Sequence, residues 1–179
     1  MKHFEKTMHE IRDHYRHSSK PYKFKTLINQ SNQPLPDDAI SAQNYFHLEN
    51  SGFSNHQENY ITNSSQNYIE TKDYNDFKSK MEKNREEAKK RANAFIDEYT
   101  DKMIASGNSH PESQESIVST FSKTLEFFTE EVMEKIADFI TELIDKIKKW
   151  IHTVIKKIED TFFNVVNAIE TFFNIFSEI

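Results

Sequence analysis

The sequence predicts an all-α fold: an extended antiparallel helical hairpin whose second arm is a long amphipathic helix. Three observations lead to this prediction. Apolar residues after residue 73 recur at steps of three or four, which is the spacing of one face of an α-helix. The chain contains only two glycines, which leaves almost no residues for tight strand turns or phosphate-binding loops. No proline or glycine follows Pro111, so 112–179 is free to be helical.

The first predicted element is a short amphipathic helix within residues 1–20. Phe4, Met8, Ile11 and Tyr15 are spaced four, three and four residues apart, so they share one helical face. An isolated helix of this length is marginal in water, because nucleation is costly and few hydrogen bonds follow it. We therefore expect this helix to need a packing partner.

Residues 21–70 are predicted to be a polar, low-order linker, so that the N-terminal region is largely disordered apart from the short helix. Pro34 and Pro36 interrupt the segment, and Asn, Ser and Gln dominate after them. Single aromatic residues occur without a sustained period. Such a composition buries too little apolar surface to offset the entropy of ordering.

A third segment, 71–179, is predicted to form the helical hairpin. Its first arm is a helix over 73–106, for which either Thr71 or Asp73 can serve as the N-cap. The apolar stripe of this helix recurs at steps of three or four, or multiples of them. The stripe consists of Phe77, Met81, Ala88, Ala92, Phe95, Tyr99 and Met103.

The two arms are joined by a short turn. Gly107 is predicted to stop the first helix, because glycine tolerates a left-handed backbone. Ser109 and Glu112 have the spacing of a capping box at the start of the second helix. Antiparallel pairing across this turn brings Arg85 near Glu131.

The second arm is predicted to be one amphipathic helix after residue 112 or two helices broken near Asp160. Its apolar residues advance at a mean step close to 3.6, the α-helical period. The first arm is long enough to cover only 112–142, which leaves the apolar face of 143–179 without a partner. The residues predicted to bind a membrane or a partner on this face are Leu143, Ile147, Trp150, Ile151, Val154, Ile155, Ile158, Phe162, Phe163, Val166, Ile169, Phe172, Phe173 and Phe176.

Five lysines stand on or beside the polar face of the same arm. Between residues 143 and 158 they outnumber a single acid, giving a local charge of +4 within a chain of net charge −6. A basic polar face opposite Trp and Phe is typical of helices that lie in the membrane interface. The residues predicted to contact anionic lipid are Lys146, Lys148, Lys149, Lys156 and Lys157.

Two functional interpretations follow, both non-enzymatic. In the first, the protein associates peripherally with a membrane surface through the arm 143–179, as a membrane-perturbing protein or secreted effector. In the second, it is a self-associating helical-bundle scaffold or adaptor, like a coiled coil, that binds partner helices and no membrane. The pattern resembles apolipoprotein-like helices, which implies a bundle that opens onto lipid. The composition also resembles that of small helical effectors secreted by intracellular bacteria.

Composition argues against catalytic and cofactor sites. The chain has no cysteine, which excludes thiol catalysis and disulfides, and its net negative charge gives no support to nucleic-acid binding. His9, His14 and His17 lie near one another, but Asp13 stands where a zinc-protease motif needs its second histidine. We therefore expect no catalytic residue, metal, cofactor or small-molecule substrate.

We expect a cytoplasmic or peripheral-membrane location, with secretion into a host by a type-III- or type-IV-like route left open. The N-terminus lacks the apolar core of a signal peptide. The apolar tail contains no uncharged run long enough to span a bilayer.

Overall fold

The computed structural model describes residues 1, 3–24, 33–151 and 166–174, and for 150 and 151 it describes the backbone alone. These residues form helices and no strand, which confirms the all-α prediction. A 3₁₀ turn at Pro111–Ser113 precedes α4, and a π-helical segment at Phe128–Glu134 joins α4 to α5. The helices are α1 (Phe4–Tyr15), α2 (Asp37–Thr71), α3 (Tyr74–Ser109), α4 (Gln114–Phe127), α5 (Lys135–Ile151) and α6 (166–174).

The short N-terminal helix α1 is held by its predicted apolar face. Phe4, Met8, Ile11 and Tyr15 are all buried. At the end of the helix, Arg16 Nη2 lies 2.9 Å from an Asp97 carboxylate oxygen on α3. Tertiary contacts of this kind supply the stability that a twelve-residue helix lacks by itself.

Helix α2 corrects the expectation of a disordered segment over residues 37–71. Asp37 and Asp38 occupy its first turn, where negative charge interacts favourably with the helix dipole. The buried positions follow a helical period, although small and polar side chains fill many of them. They are Ala39, Ala42, Phe46, Phe53, Ser54, Gln57, Ile61, Ser64, Ser65 and Tyr68. Packing against the rest of the chain therefore overrides a composition that is typical of disorder.

Helices α2 and α3 form an antiparallel pair around a two-residue turn. Lys72 adopts a left-handed backbone with φ of 56°, and its N–H donates to the Tyr68 carbonyl at 2.7 Å. Asp73 Oδ1 then accepts a hydrogen bond from the Asp76 N–H at 3.0 Å. Of the two proposed caps, Asp73 is thus the residue that caps α3.

Helix α3 continues past the predicted stop at Gly107 and ends at Ser109. Gly107 does not adopt a positive φ, and a Cβ atom built at this position would overlap the Phe4 ring. The predicted capping box is also wrong, because the Ser109 hydroxyl donates to the Ala105 carbonyl within α3. The chain restarts as the 3₁₀ turn, with Pro111 in its first turn.

The second arm pairs with α3 in a different register from the predicted one. Arg85 Nη2 donates a hydrogen bond at 2.9 Å to the Thr141 hydroxyl on α5, where the prediction named Glu131 as its neighbour. The predicted register assumed that the arms pair directly across the turn; the partner of Arg85 lies ten residues further along the chain than Glu131. The predicted break near Asp160 lies outside the described residues.

The chain divides into two compact units. Unit 1 comprises Met1–Asn50 and Arg91–Glu134, and unit 2 comprises Ser51–Lys90 and Lys135–Ile179. An aromatic cluster lies in the core of unit 1. Within it, the Phe46 ring centroid lies 4.6 Å from that of Tyr99 and 5.3 Å from that of Phe128.

Tyr99 makes the stability of unit 1 sensitive to alkaline pH. Burial raises the pKa of Tyr99 from 10.0 to about 12, and the neighbouring Thr124 hydroxyl opposes part of that rise. Between these two pH values the folded state keeps a proton that the unfolded state loses, so stability falls as the pH rises. We expect the free energy of unfolding to drop by about 1.4 kcal/mol per pH unit from this group.

Urea unfolding of the wild type and of Tyr99→Phe at a series of pH values above 9 measures this contribution. The variant should lose stability less steeply, because its phenyl ring does not titrate. Tyr15, Tyr22 and Tyr68, whose pKa values are also raised by burial, stay in both proteins and cancel in the comparison. Equal slopes for the two proteins would contradict the prediction.

Candidate functional site

Helix α5 has one apolar face and one charged face. The apolar face consists of Ile136, Ile140, Leu143, Ile144 and Ile147, all buried and spaced as on one side of a helix. The charged face is exposed and carries both signs. It includes Asp138, Glu142, Asp145, Lys146, Lys148 and Lys149. Since the basic residues come last along the helix, they also interact favourably with its dipole.

The apolar residues predicted to bind a membrane or partner are only in part described. Leu143, Ile147, Ile169 and Phe173 are buried in unit 2. Val166 and Phe172 are half-buried. The structure does not describe the side chains of the other eight, which are Trp150, Ile151, Val154, Ile155, Ile158, Phe162, Phe163 and Phe176.

The expected exposed apolar face is therefore not seen in the described part of the C-terminal arm. The expectation assumed that nothing else in the chain was ordered enough to cover this face. In the structure, 51–71 folds as the second half of α2 and belongs to the same unit as α5. The binding role of these residues stays a prediction.

Helix α6 packs against α5 through aromatic rings. The Phe139 and Phe172 rings are stacked, with centroids 4.5 Å apart and an interplanar angle of 11°. Phe173 of α6 meets the Phe139 ring edge-on, with centroids 6.4 Å apart. Pairs of this kind add about 0.5–1.5 kcal/mol beyond the burial of their area, so α6 has a defined place on α5.

The lysines predicted to contact anionic lipid are exposed where the structure describes them. Lys146, Lys148 and Lys149 all face solvent, and Lys146 Nζ lies 3.6 Å from a carboxylate oxygen of the exposed Glu142. An exposed pair of this kind is readily exchanged for another partner, because it contributes little energy. Lys156 and Lys157 lie outside the described residues.

A buried polar layer in unit 2 was missed by the sequence analysis. Asn84 Nδ2 donates a hydrogen bond to Gln57 Oε1 at 2.7 Å, and both side chains are almost fully buried. Ser54 is buried close by along α2, and among the described residues its hydroxyl has no hydrogen-bond partner. A signal did exist, since Gln57 lies midway between Phe53 and Ile61 on the helical period.

A groove in unit 1 is a second feature that the sequence did not reveal. It has a volume of about 430 Å³ and is lined by residues of α2 and α3. The Ser106 hydroxyl donates to Asp38 at 2.6 Å, and this bond is the main reason that the pKa of Asp38 is lowered. Lys102 Nζ lies 4.8 Å from the Tyr45 ring centroid and 3.4 Å from Glu98. A lowered pKa makes Asp38 a poor proton donor for general-acid chemistry.

The histidines near the N-terminus do not form a metal site in the described structure. His14 Nε2 lies 2.6 Å from the Lys20 carbonyl oxygen, a hydrogen bond that occupies the ring nitrogen. Across the described residues, no group of three or more His, Cys, Asp or Glu side chains is arranged to hold a metal ion. None of the helices described here is both long and apolar enough to cross a bilayer.

No protein-family model, no curated protein sequence and no solved structure matches this chain.

Proposed function

We propose that this protein is a non-enzymatic amphipathic helical protein that associates peripherally with membranes through its C-terminal segment, 143–179. The described parts of this segment, 143–151 and 166–174, belong to unit 2, and the segment leaves that unit to bind lipid. The observation that carries the proposal is an imbalance in unit 2, where the buried face of α5 is wholly aliphatic while α2 and α3 contribute five buried polar side chains.

The imbalance is clearest along the second half of α2. This half contributes Phe53, Ile61 and Tyr68 to the core, together with four buried polar residues. The four are Ser54, Gln57, Ser64 and Ser65. Because polar groups gain hydration when they are exposed, opening this core costs less than opening an apolar one.

The buried face of α5 has the opposite preference. All its buried residues are Ile or Leu, and each square ångström kept from water is worth roughly 25 cal/mol. A lipid interface can bury this face without polar neighbours. The exposed Lys146, Lys148 and Lys149 would then lie near lipid headgroups, where each adds about 1 kcal/mol on an anionic surface.

Vesicle binding of a chain locked in its closed form tests the proposal. The chain contains no cysteine, so Arg85→Cys and Thr141→Cys can be joined cleanly by a short bis-maleimide. These side chains touch in the structure, so the linker holds α5 to α3. In co-sedimentation with anionic vesicles, the uncrosslinked double variant should bind in a salt-sensitive manner and the crosslinked form should bind at least about tenfold more weakly.

A matched control joins two positions on α3 alone. Lys83→Cys and Glu87→Cys are exposed and one helical turn apart, so the same linker modifies the protein without holding α5. This form should bind vesicles like the uncrosslinked chain. Equal binding by the α5-locked form would show that release is not needed.

Absence of binding to anionic vesicles would reject the membrane function and favour the self-associating scaffold, which light scattering after size-exclusion chromatography would then detect. Truncation at residue 142 is a poor test, because it also removes Leu143, Ile147, Ile169 and Phe173 from the core of unit 2. Loss of binding by such a chain would not separate a missing lipid contact from an unfolded unit.

A further inference from the structure

The Gln57–Asn84 hydrogen bond joins α2 to α3 inside unit 2. It is 2.7 Å long, and each side chain is 1% exposed. One residue along α3, Arg85 reaches α5 by its hydrogen bond to Thr141. The α3 member of the amide pair is thus the sequence neighbour of the residue through which α3 bonds to α5.

Burial of this pair adds less stability than burial of two apolar side chains. Folding exchanges hydrogen bonds to water for one between the amides, so the net gain is small. Each carboxamide carries two donor hydrogens and an acceptor oxygen, and this bond uses only one donor. When the core opens, water can hydrate both amides.

We propose that the Gln57–Asn84 pair sets how readily α5 leaves unit 2, and so regulates exposure of its apolar face. Binding of the released face to a membrane rests on the proposed function, whereas release of α5 from unit 2 does not. The amide pair keeps the closed form stable enough to shield α5, and its polarity lowers the cost of opening. We call the fraction of molecules in which α5 has left unit 2 the open fraction. The protein's apparent affinity for any surface that binds α5 is then proportional to this open fraction.

Two substitutions shift the opening in opposite directions. Asn84→Ala removes the donor and leaves the Gln57 amide buried without it, which destabilises the closed form. Gln57→Leu with Asn84→Leu replaces both amides by apolar groups of similar size, which makes exposure of the core less favourable. We expect the open fraction to rise about tenfold in the first variant and to fall about tenfold in the second.

Thiol labelling measures the open fraction without lipid. Ile147→Cys places a single thiol on the buried face of α5, and its labelling rate reports opening. Leu125→Cys, fully buried in unit 1, is the reference site. The Asn84→Ala background should accelerate labelling at 147 and leave 125 unchanged, and the double-leucine background should slow labelling at 147.

Equal labelling rates at 147 in all backgrounds would overturn the inference. Parallel changes at 125 would also overturn it, because the pair would then govern global unfolding. Asn59→Leu adds a leucine to an exposed position of α2 and should leave labelling at 147 as in the wild type.

Binding to anionic vesicles by the same variants separates this inference from the proposed function. Affinity that follows the labelling rates, stronger for Asn84→Ala and weaker for the double-leucine variant, supports both. If the labelling rates change as expected but no variant binds vesicles, the pair does control release of α5 and the membrane function is rejected. Vesicle binding that is equal in all variants despite different labelling rates overturns the regulatory role of the pair.

Discussion

Replacement of Phe46 by alanine is expected to lower the free energy of unfolding by about 3–5 kcal/mol. The Phe46 ring lies within 5.4 Å, centroid to centroid, of Phe95, Tyr99 and Phe128. The substitution removes a buried ring and leaves a cavity among three aromatic neighbours, which can close only in part. Urea denaturation followed by far-ultraviolet circular dichroism measures the change.

Leu48→Ala is the matched control, because Leu48 lies two residues away on α2 and is 70% exposed. An exposed substitution of this kind should change stability by no more than about 0.5 kcal/mol. The pair of variants also tests the order of α2 itself. If residues 37–71 were the disordered linker that their composition suggests, both substitutions would have equally small effects.

Gly107→Ala is expected to destabilise the protein by about 1–3 kcal/mol, the range found for overpacked cores. The new methyl group would overlap the Phe4 ring, and α1 would have to shift away from α3. This cost opposes the gain of about 1 kcal/mol that alanine ordinarily brings to a helix interior. Thermal or urea unfolding measures whether the variant is less stable than the wild type, as expected.

Gly52→Ala isolates the helix-propensity part of that effect. Gly52 lies within α2, and a Cβ atom built there meets no atom within 4 Å. This variant should be more stable than the wild type by about 0.5–1 kcal/mol. In a Phe4→Ala background, Gly107→Ala should also become neutral or stabilising, since the clash is gone. Destabilisation by Gly107→Ala that persists without the Phe4 ring would contradict the steric explanation.

Helices with apolar residues at most buried positions could be predicted from the sequence. The buried faces of α1 and α3 contain the predicted stripes, including Phe4 and Met8 in one and Phe95 and Tyr99 in the other. Helix α2 could not be predicted in this way. Its buried face includes Ser54, Gln57 and two adjacent serines, Ser64 and Ser65, and an apolar count does not register these residues.

The same omission misled the prediction of the candidate site. With α2 treated as a linker, the face of Leu143 and Ile147 had no partner and was expected to be exposed. Once α2 folds, that face is buried in unit 2. The exposure of Lys146, Lys148 and Lys149 agrees with the predicted polar face, because charged side chains stay solvated in either arrangement.

By itself, the sequence determined that the chain is helical, where α1 and α3 lie, and that α5 has one apolar and one charged side. Periodicity carries this information, because it depends only on the geometry of a single helix. Tertiary structure alone decided that α2 is ordered, that Gly107 makes room for Phe4, and that Arg85 meets Thr141. Each of these outcomes depends on which side chains, distant in sequence, pack against one another. The apolar pattern of a single helix does not specify those partners, because dense interior packing depends on the shapes of all the side chains that meet.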